Sequence, residues 1–524
     1  MLAAPASSEL ANYAAPDWIG HYAQQTPDKL AMTDVHSRRT YTYRAMNERC
    51  SRLASFLRTK KIGPGERVAV LCHNSTDIFE IQFACRKLGA IFVPLNWRLA
   101  QAELSAIIRN AEPRLLIYGH EFSLMAEAFH ASGIVPNLIE TRDGQASPYE
   151  TGIAEHDASL EAVPVTHSDI FAIMYTSGTT GQPKGVIITH RMTIFSAVNG
   201  MMKASVKGTS NGLTFLPLFH VGGLFLMANF IFHAGGHNIL MRTFDPGQAL
   251  AILGDPRFSI THSFGVPTNF SMIAELPAYA DTDLSHLECL TVGGAPSPMA
   301  LLEAYAKKGV KLQQGWGMTE TTTLGTMLAA RDAFTKIGSA GQPVMHAELT
   351  IFDDDFQHAS PDAVGQLAIR GPTVTPGYWR QPAATAEAFH QGWFLTGDAA
   401  QCDADGYYAI VDRWKDMYIS GGENVYPAEI ENVLSGISGV VEAAVIGVAD
   451  SKWGEVGCAY VVRRSGTVLT AADVISHCAN NLARFKLPKY IRFVDAIPHS
   501  AAGKISKPEL RAAFAREAPN HGHP

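Results

Sequence analysis

Cysteine is scarce and scattered, with seven in 524 residues at positions 50, 72, 85, 289, 402, 458 and 478. The count is odd and no CxxC pair exists. A disulfide framework or zinc site is therefore not expected, and reduced thiols in a cytoplasmic setting are. Long apolar runs are also missing. The most apolar stretch, Val221–Phe232, is short of the ~20 residues a membrane span needs. It is predicted to be a buried helix, and no transmembrane segment is expected. The first residues, Met1-Leu-Ala-Ala-Pro-Ala-Ser-Ser-Glu9, lack a basic stretch followed by an apolar one and do not read as a secretory signal. Positive charge is not in surplus: 42 Lys and Arg face 49 Asp and Glu, for a formal net charge of −7. That balance gives no general attraction to nucleic acid or to an anionic membrane. Anionic ligands must be held by local basic groups and backbone N–H donors. Internal repeats and low-complexity tracts are absent.

What is present fits a globular chain: 47% apolar and 17% charged residues. At roughly 100–200 residues per domain, the length suggests two to four folding units. Short β-branched runs alternate with amphipathic segments. Strands are predicted at Arg67–Cys72, Ala90–Leu95, Arg114–Tyr118, Ile170–Tyr175, Leu213–Leu216, Leu290–Val292 and Leu312–Gln314. Helices between such strands indicate an α/β fold with mostly parallel sheets. Residues 347–411 read as a small β-rich subdomain, with short strands at Glu348–Phe352, Gly365–Arg370 and Tyr407–Val411. Beyond Arg413 a compact α+β segment follows: a helix near Pro427–Leu434, strands at Val441–Val448 and Cys458–Arg463, and a helix at Ala471–Leu482. The expected organisation is a large N-terminal domain, 1–413, and a small mobile C-terminal domain, 414–524.

The densest chemistry lies at Thr176-Ser-Gly-Thr-Thr-Gly-Gln-Pro-Lys184-Gly185, directly after a predicted strand. Glycines 178, 181 and 185 let backbone N–H groups close around an anion. Thr176, Ser177, Thr179 and Thr180 add hydroxyls, and Lys184 adds a point charge. The set suits a polyphosphate, although it is not a Walker A loop. Gly293-Gly-Ala-Pro296 and Gln314-Gly-Trp-Gly-Met-Thr-Glu320 each follow a predicted strand. Their glycines let a flat base approach backbone, Trp316 offers a stacking face, and Glu320 is a hard oxygen ligand suited to Mg²⁺. Asp398, in Thr396-Gly-Asp398, could accept both hydroxyls of a ribose.

These strings, in this order, resemble the signatures of the adenylate-forming superfamily: acyl- and aryl-CoA synthetases, peptide-synthetase adenylation domains and beetle luciferases. The resemblance runs over roughly residues 15–515 and is nearest to the acyl-CoA ligases. It implies that Thr176, Ser177, Gly178, Thr179, Thr180, Gly181 and Lys184 hold the ATP phosphates. Gly294, Ala295, Gly315, Trp316 and Gly317 would take the adenine, and Asp398 and Arg413 the ribose. Thr319 would contact the α-phosphate and Glu320 the metal. Many relatives have Tyr where this chain has Trp316, which keeps the stacking face and loses a hydroxyl. Lys415 would be the hinge. Gly421 and Gly422, in Ser420-Gly-Gly-Glu-Asn-Val-Tyr-Pro-Ala-Glu-Ile-Glu431, would line a pantetheine tunnel. Lys504, in Pro498-His-Ser-Ala-Ala-Gly-Lys504, would be the catalytic lysine of adenylation. Its surroundings also resemble a lysine-acetylation target.

By the same resemblance, Phe215-Leu-Pro-Leu-Phe-His220-Val-Gly-Gly223 carries a histidine that gates or lines the acyl site. Gly223, Phe264, Val292, Gly293, Met318 and Thr323 would share the lining with His220. No basic residue stands among these candidates to meet a second carboxylate, and no acid to meet an α-amino group. The expected function is ligation of an apolar fatty, aryl or hydroxycinnamic acid to coenzyme A, with ATP and Mg²⁺. The expected protein is a monomer or homodimer with small-molecule partners only. Two other readings stand beside it: an aryl-acid adenylating enzyme that serves a carrier protein, and a non-catalytic nucleotide-binding protein.

Overall fold

The computed structural model describes residues 14–176, 183–295, 297–420, 423–450, 452–482, 484–499 and 505–517. The chain divides into two compact units. One comprises Met1–Leu349 with Ile369–Phe394, the other Thr350–Ala368 with Leu395–Pro524. The expected hinge, Lys415, falls within the second unit.

Two sheets build the first unit. The six-stranded sheet runs in the order Leu138–Thr141, Leu115–Gly119, Arg67–Leu71, Ile91–Pro94, Ile170–Thr176, Lys184–Thr189. All its pairs are parallel except the last. The nine-stranded sheet has a parallel centre of six strands: Leu312–Trp316, Cys289–Gly293, His262–Gly265, Asn211–Thr214, His237–Leu240 and Leu30–Asp34. Antiparallel strands flank it at both edges. In the six-stranded sheet Arg67–Leu71, Ile91–Pro94 and Leu115–Gly119 are nearly continuous apolar runs and almost wholly buried, as parallel strands covered on both faces are. The mostly parallel α/β architecture expected from the sequence is therefore present, with the strand near 213 placed at Asn211–Thr214.

The segment Val221–Phe232 corrects one expectation. It is buried, but it is not one helix. A short helix, Val221–Leu224, and a second, Phe230–Ala234, are separated by a break in which Leu226 is extended (φ −72°, ψ 143°) and Met227 has φ +53°, ψ −60°. Positive φ is costly for a side-chain-bearing residue. Tertiary packing, with Phe225, Leu226 and Met227 all buried, overrides the helical pattern here.

In the second unit, Trp393–Cys402 pairs antiparallel with Tyr408–Arg413 from Asp398 onward. A separate sheet joins Glu423–Val425, Tyr418–Ser420, Gly454–Arg463 and Val440–Asp450, with Tyr490–Val494 added parallel. One of its faces packs on the helices Pro427–Ser435 and Ala471–Asn481 through Ile430, Leu434, Val474 and Cys478. The other carries Leu510 of the helix Lys507–Glu517. Among the described residues, no helix is long and apolar enough to cross a membrane.

Candidate active site

The phosphate string starts on one strand and ends on its antiparallel neighbour. Thr176 and Lys184 lie directly opposite each other on the antiparallel strands that enter and leave it. Ser177, Gly178, Thr179, Thr180 and Gly181 lie outside the described residues. Lys184 is half-buried, and its ammonium rests 4.9 Å from the centroid of the Tyr378 ring.

The strands Cys289–Gly293 and Leu312–Trp316 are parallel neighbours with Gly293 in register with Gly315. Gly294 and Ala295 thus leave one strand beside the point where Gly317 leaves the next. Both exits are at carboxyl ends, where open parallel sheets bind ligands. Gly294 and Ala295 are exposed. Gly317 is required by close approach: a Cβ there would lie 1.4 Å from the Thr323 carbonyl oxygen. Trp316 is buried and packs over Gly325, where any Cβ would sit 2.4 Å from the indole.

Thr319–Thr321 form a single 3₁₀ turn after Met318. The next two residues, Thr322 and Thr323, have φ of +50° and +108°. Two β-branched residues in succession at positive φ are strained, and such strain concentrates at working sites. Ser196, on the helix His190–Ala204, restrains the turn. Its hydroxyl donates to the Thr322 carbonyl at 2.5 Å and shares a hydrogen bond of 2.7 Å with the Thr323 hydroxyl. Glu320 is buried, and its Oε1 accepts a hydrogen bond from the Tyr378 hydroxyl at 3.0 Å. Among the described residues, no group of three or more His, Cys, Asp or Glu could hold a metal. A single buried carboxylate fits Mg²⁺ better than a transition metal, since Mg²⁺ takes one or two carboxylates and completes its shell with waters and ligand phosphates.

Gly222, Gly223, Leu226, Met227 and Phe264 surround a slot beside residues 213–216, with a free volume of only about 10 Å³. Gly223 is held by contact, since a Cβ would lie 2.2 Å from the Pro217 carbonyl oxygen. His220 precedes the short helix, half-buried, with its ring 4.6 Å from that of Phe219. Val292 is fully buried in the core that includes Phe215, Phe270 and Leu290, so it backs this region from the core side. Met318 is half-buried and Thr323 fully so.

In the second unit Asp398 is buried and lies opposite Arg413 in the strand register. Its backbone N–H donates to the Thr396 hydroxyl at 3.1 Å, and that hydroxyl donates to the Leu367 carbonyl at 2.7 Å. Asp412 Oδ2 accepts from the Ala428 N–H at 2.8 Å, at the start of the helix Pro427–Ser435. The side chains of Arg413 and Lys415, and the residues Gly421, Gly422 and Lys504, lie outside the described set. His499 and Ile505, on either side of Lys504, pair as an isolated antiparallel bridge. Sequence reasoning missed Ser196 and Tyr378. The only local signal for Tyr378 was a Pro-Gly turn followed by two aromatics, Pro376-Gly-Tyr-Trp379.

The family model for AMP-binding enzymes matches residues 19–379, and that for the AMP-binding enzyme C-terminal domain matches 429–504. A feruloyl-CoA synthase of Amycolatopsis sp is 38% identical over 95% of this chain and 98% of its own. A long-chain-fatty-acid–CoA ligase of Mycobacterium tuberculosis is 38% identical over 91% of this chain and 94% of its own. The o-succinylbenzoate CoA synthetase of Bacillus subtilis, solved with its acyl-adenylate intermediate, superposes with a TM-score of 0.86 at 30% identity, covering 96% of this chain and 98% of its own. The chain therefore belongs to the AMP-binding, adenylate-forming enzyme family, among its acid–CoA ligases.

Proposed function

We propose that the protein activates an apolar aromatic or hydroxycinnamic monocarboxylic acid as its acyl-adenylate and passes the acyl group to coenzyme A. The observation that carries this substrate class is the slot beside residues 213–216. Its wall is Leu213, Thr214, Phe215, Leu216, Gly222, Gly223, Leu226, Met227 and Phe264, with no charged side chain. A second carboxylate or an ammonium entering there would lose its hydration without a partner, at a cost of several kcal/mol or more. The wall includes glycine backbone and the phenyl groups of Phe215 and Phe264, surfaces on which a flat ring stacks, and at about 10 Å³ the slot must widen to admit one. A fatty acid is the second reading, favoured by the aliphatic part of the wall, Leu213, Leu216, Leu226 and Met227.

In the first half-reaction a carboxylate oxygen attacks the α-phosphorus of ATP and pyrophosphate leaves. Lys184 and the hydroxyls of the Thr176–Gly181 string hold the β- and γ-phosphates, and Thr319 the α-phosphate. Glu320 holds Mg²⁺, which neutralises phosphate charge when bound. Trp316, Gly294, Ala295, Gly315 and Gly317 take the adenine, and Asp398 and Arg413 the ribose. Lys504 offsets the negative charge that builds between carboxylate and phosphate. In the second half-reaction the coenzyme A thiol gives its proton to solvent, the thiolate attacks the acyl carbonyl, and AMP leaves. Lys504 and Gly421 serve different steps, so we place their exchange in a rotation of the C-terminal domain about Lys415.

Lys504→Ala is expected to lower pyrophosphate exchange by ~10²–10³, as loss of one transition-state donor does elsewhere. Thioester formation from supplied acyl-adenylate should stay largely intact. Equal loss of both steps would refute the division of labour. A pyrophosphate-release screen over benzoic, hydroxycinnamic, fatty and dicarboxylic acids tests the substrate class. Preference for a dicarboxylate would overturn it, and preference for a long-chain acid would select the second reading.

A further inference from the structure

Two groups read as ligand-binding, Lys184 and Glu320, lie 136 positions apart in sequence, and one residue touches both. The phenol of Tyr378 donates to Glu320 Oε1 at 3.0 Å, and its ring lies under the Lys184 ammonium at 4.9 Å. Tyr378 is buried. Its backbone is fixed from both sides. Val186 and Tyr378 form an antiparallel bridge, the Trp379 N–H donates to the Gly185 carbonyl at 2.7 Å, and the Ile187 N–H to the Gly377 carbonyl at 3.1 Å. Towards Glu320, the Thr375 N–H donates to that residue's own carbonyl at 2.8 Å, and the Thr375 hydroxyl reaches the Ile187 carbonyl at 2.7 Å. The segment Thr375–Trp379 is thus a strut between the Lys184 strand and the Glu320 turn.

We infer that Tyr378 is a positioning residue that couples nucleotide binding to divalent-cation binding, its ring setting the Lys184 ammonium and its hydroxyl orienting the Glu320 carboxylate. A residue that only filled space would need neither the hydroxyl nor a ring facing a cation. Cations are drawn to aromatic faces, so an ammonium held there is placed without being neutralised and keeps its charge for a phosphate. A hydrogen bond to a ligating carboxylate fixes its orientation, and losing such a partner typically lowers metal affinity ~10–100-fold. The inference rests on reading Lys184 as a phosphate ligand and Glu320 as a metal ligand.

The test uses the full chain with ATP and with Mn²⁺ as the probe ion. ATP affinity is measured in EDTA by competition with a fluorescent nucleotide, and Mn²⁺ affinity of the ATP complex by electron paramagnetic resonance. Tyr378→Phe keeps the ring. It should leave ATP affinity in EDTA within about twofold of wild type and weaken Mn²⁺ binding by ~10-fold. Tyr378→Leu should in addition weaken ATP binding in EDTA, with no further loss when combined with Lys184→Ala. Glu320→Gln with Tyr378→Phe should bind Mn²⁺ no more weakly than Glu320→Gln alone. This cycle reads the coupling even if single variants melt earlier. Wild-type Mn²⁺ affinity in Tyr378→Phe, or full additivity in the cycle, would overturn the inference. If Lys184→Ala and Glu320→Gln themselves leave ATP and Mn²⁺ affinity unchanged, the underlying reading of the site fails instead.

Discussion

Two clusters in the first unit bury charge, and they do so in opposite ways. Along the helix Thr76–Leu88 every residue is buried, charged ones included. Asp77 is paired with Arg39 at 2.6 Å and accepts from Thr141. Glu80 is paired with Arg49 at 2.9 Å and accepts from the Tyr149 hydroxyl at 3.0 Å. Arg49 also meets Glu150 at 2.7 Å, and Lys87 meets Asp17 at 2.6 Å. Asp77, Glu80 and Lys87 each meet an opposite charge, while Arg86 donates to the Ala15 carbonyl. At the candidate site Lys184 rests on an aromatic face and Glu320 accepts from a neutral phenol. There one neutral aromatic residue, Tyr378, touches both charged groups. The first arrangement ties elements of the fold together by ion pairs, and the second links two proposed ligand-binding groups through a neutral side chain.

Breaking the closed cluster should cost the most stability. Arg49→Ala removes the nearer of two cations from buried Glu80, leaving Arg39 at 4.0 Å, and the expected loss is up to ~3–5 kcal/mol in a denaturant titration. A loss under ~1 kcal/mol would mean the cluster is not closed as described. Acid should act next. Burial lowers the pKa of His190 to about 3 and of His233 and His237 to about 4. Below the unfolded value of ~6.5, the unfolded chain binds protons that the folded chain does not. Stability is therefore highest above pH ~6.5 and falls as pH drops from there, the contributions of His233 and His237 levelling off below about 4 and that of His190 below about 3. At pH 5.5 the expected loss is roughly 1 kcal/mol for each histidine. Denaturation midpoints that hold flat from pH 7 to 5 would contradict this.

The open cluster should respond in ligand binding instead. Lys184→Ala should weaken ATP binding by ~1.5–3 kcal/mol, the scale of a charge-assisted hydrogen bond, with the denaturation midpoint nearly unchanged. A destabilisation as large as that of Arg49→Ala would erase the contrast. Ser196→Ala is the mildest change. It removes two hydrogen bonds from the strained Thr322–Thr323 turn, for ~1 kcal/mol of stability and a few-fold rise in KM for ATP by steady-state kinetics. No change in either would show that the turn holds itself.

Most strands were legible because β-branched runs bounded by turns recur at Arg67–Leu71, Ile91–Pro94, Leu115–Gly119 and Ile170–Thr176. The family was legible in ordered strings that depend on local geometry: glycines that admit backbone, and a carboxylate one residue past a threonine. The break at Leu226–Met227 was not legible. A dozen or so apolar residues without proline look helical, and only packing decides otherwise. Tyr378 and Ser196 escaped for a different reason. Each acts on residues more than fifty positions away, and no periodicity in a single sequence records that.

The central claim is that the acid is activated as an adenylate before coenzyme A takes part. Incubation with ATP, Mg²⁺ and a panel of aromatic and hydroxycinnamic acids, without coenzyme A, measures this directly through exchange of labelled pyrophosphate into ATP. The account predicts acid-dependent exchange without coenzyme A, and AMP rather than ADP as product once coenzyme A is added. Exchange that requires coenzyme A, or release of ADP and phosphate, would contradict it.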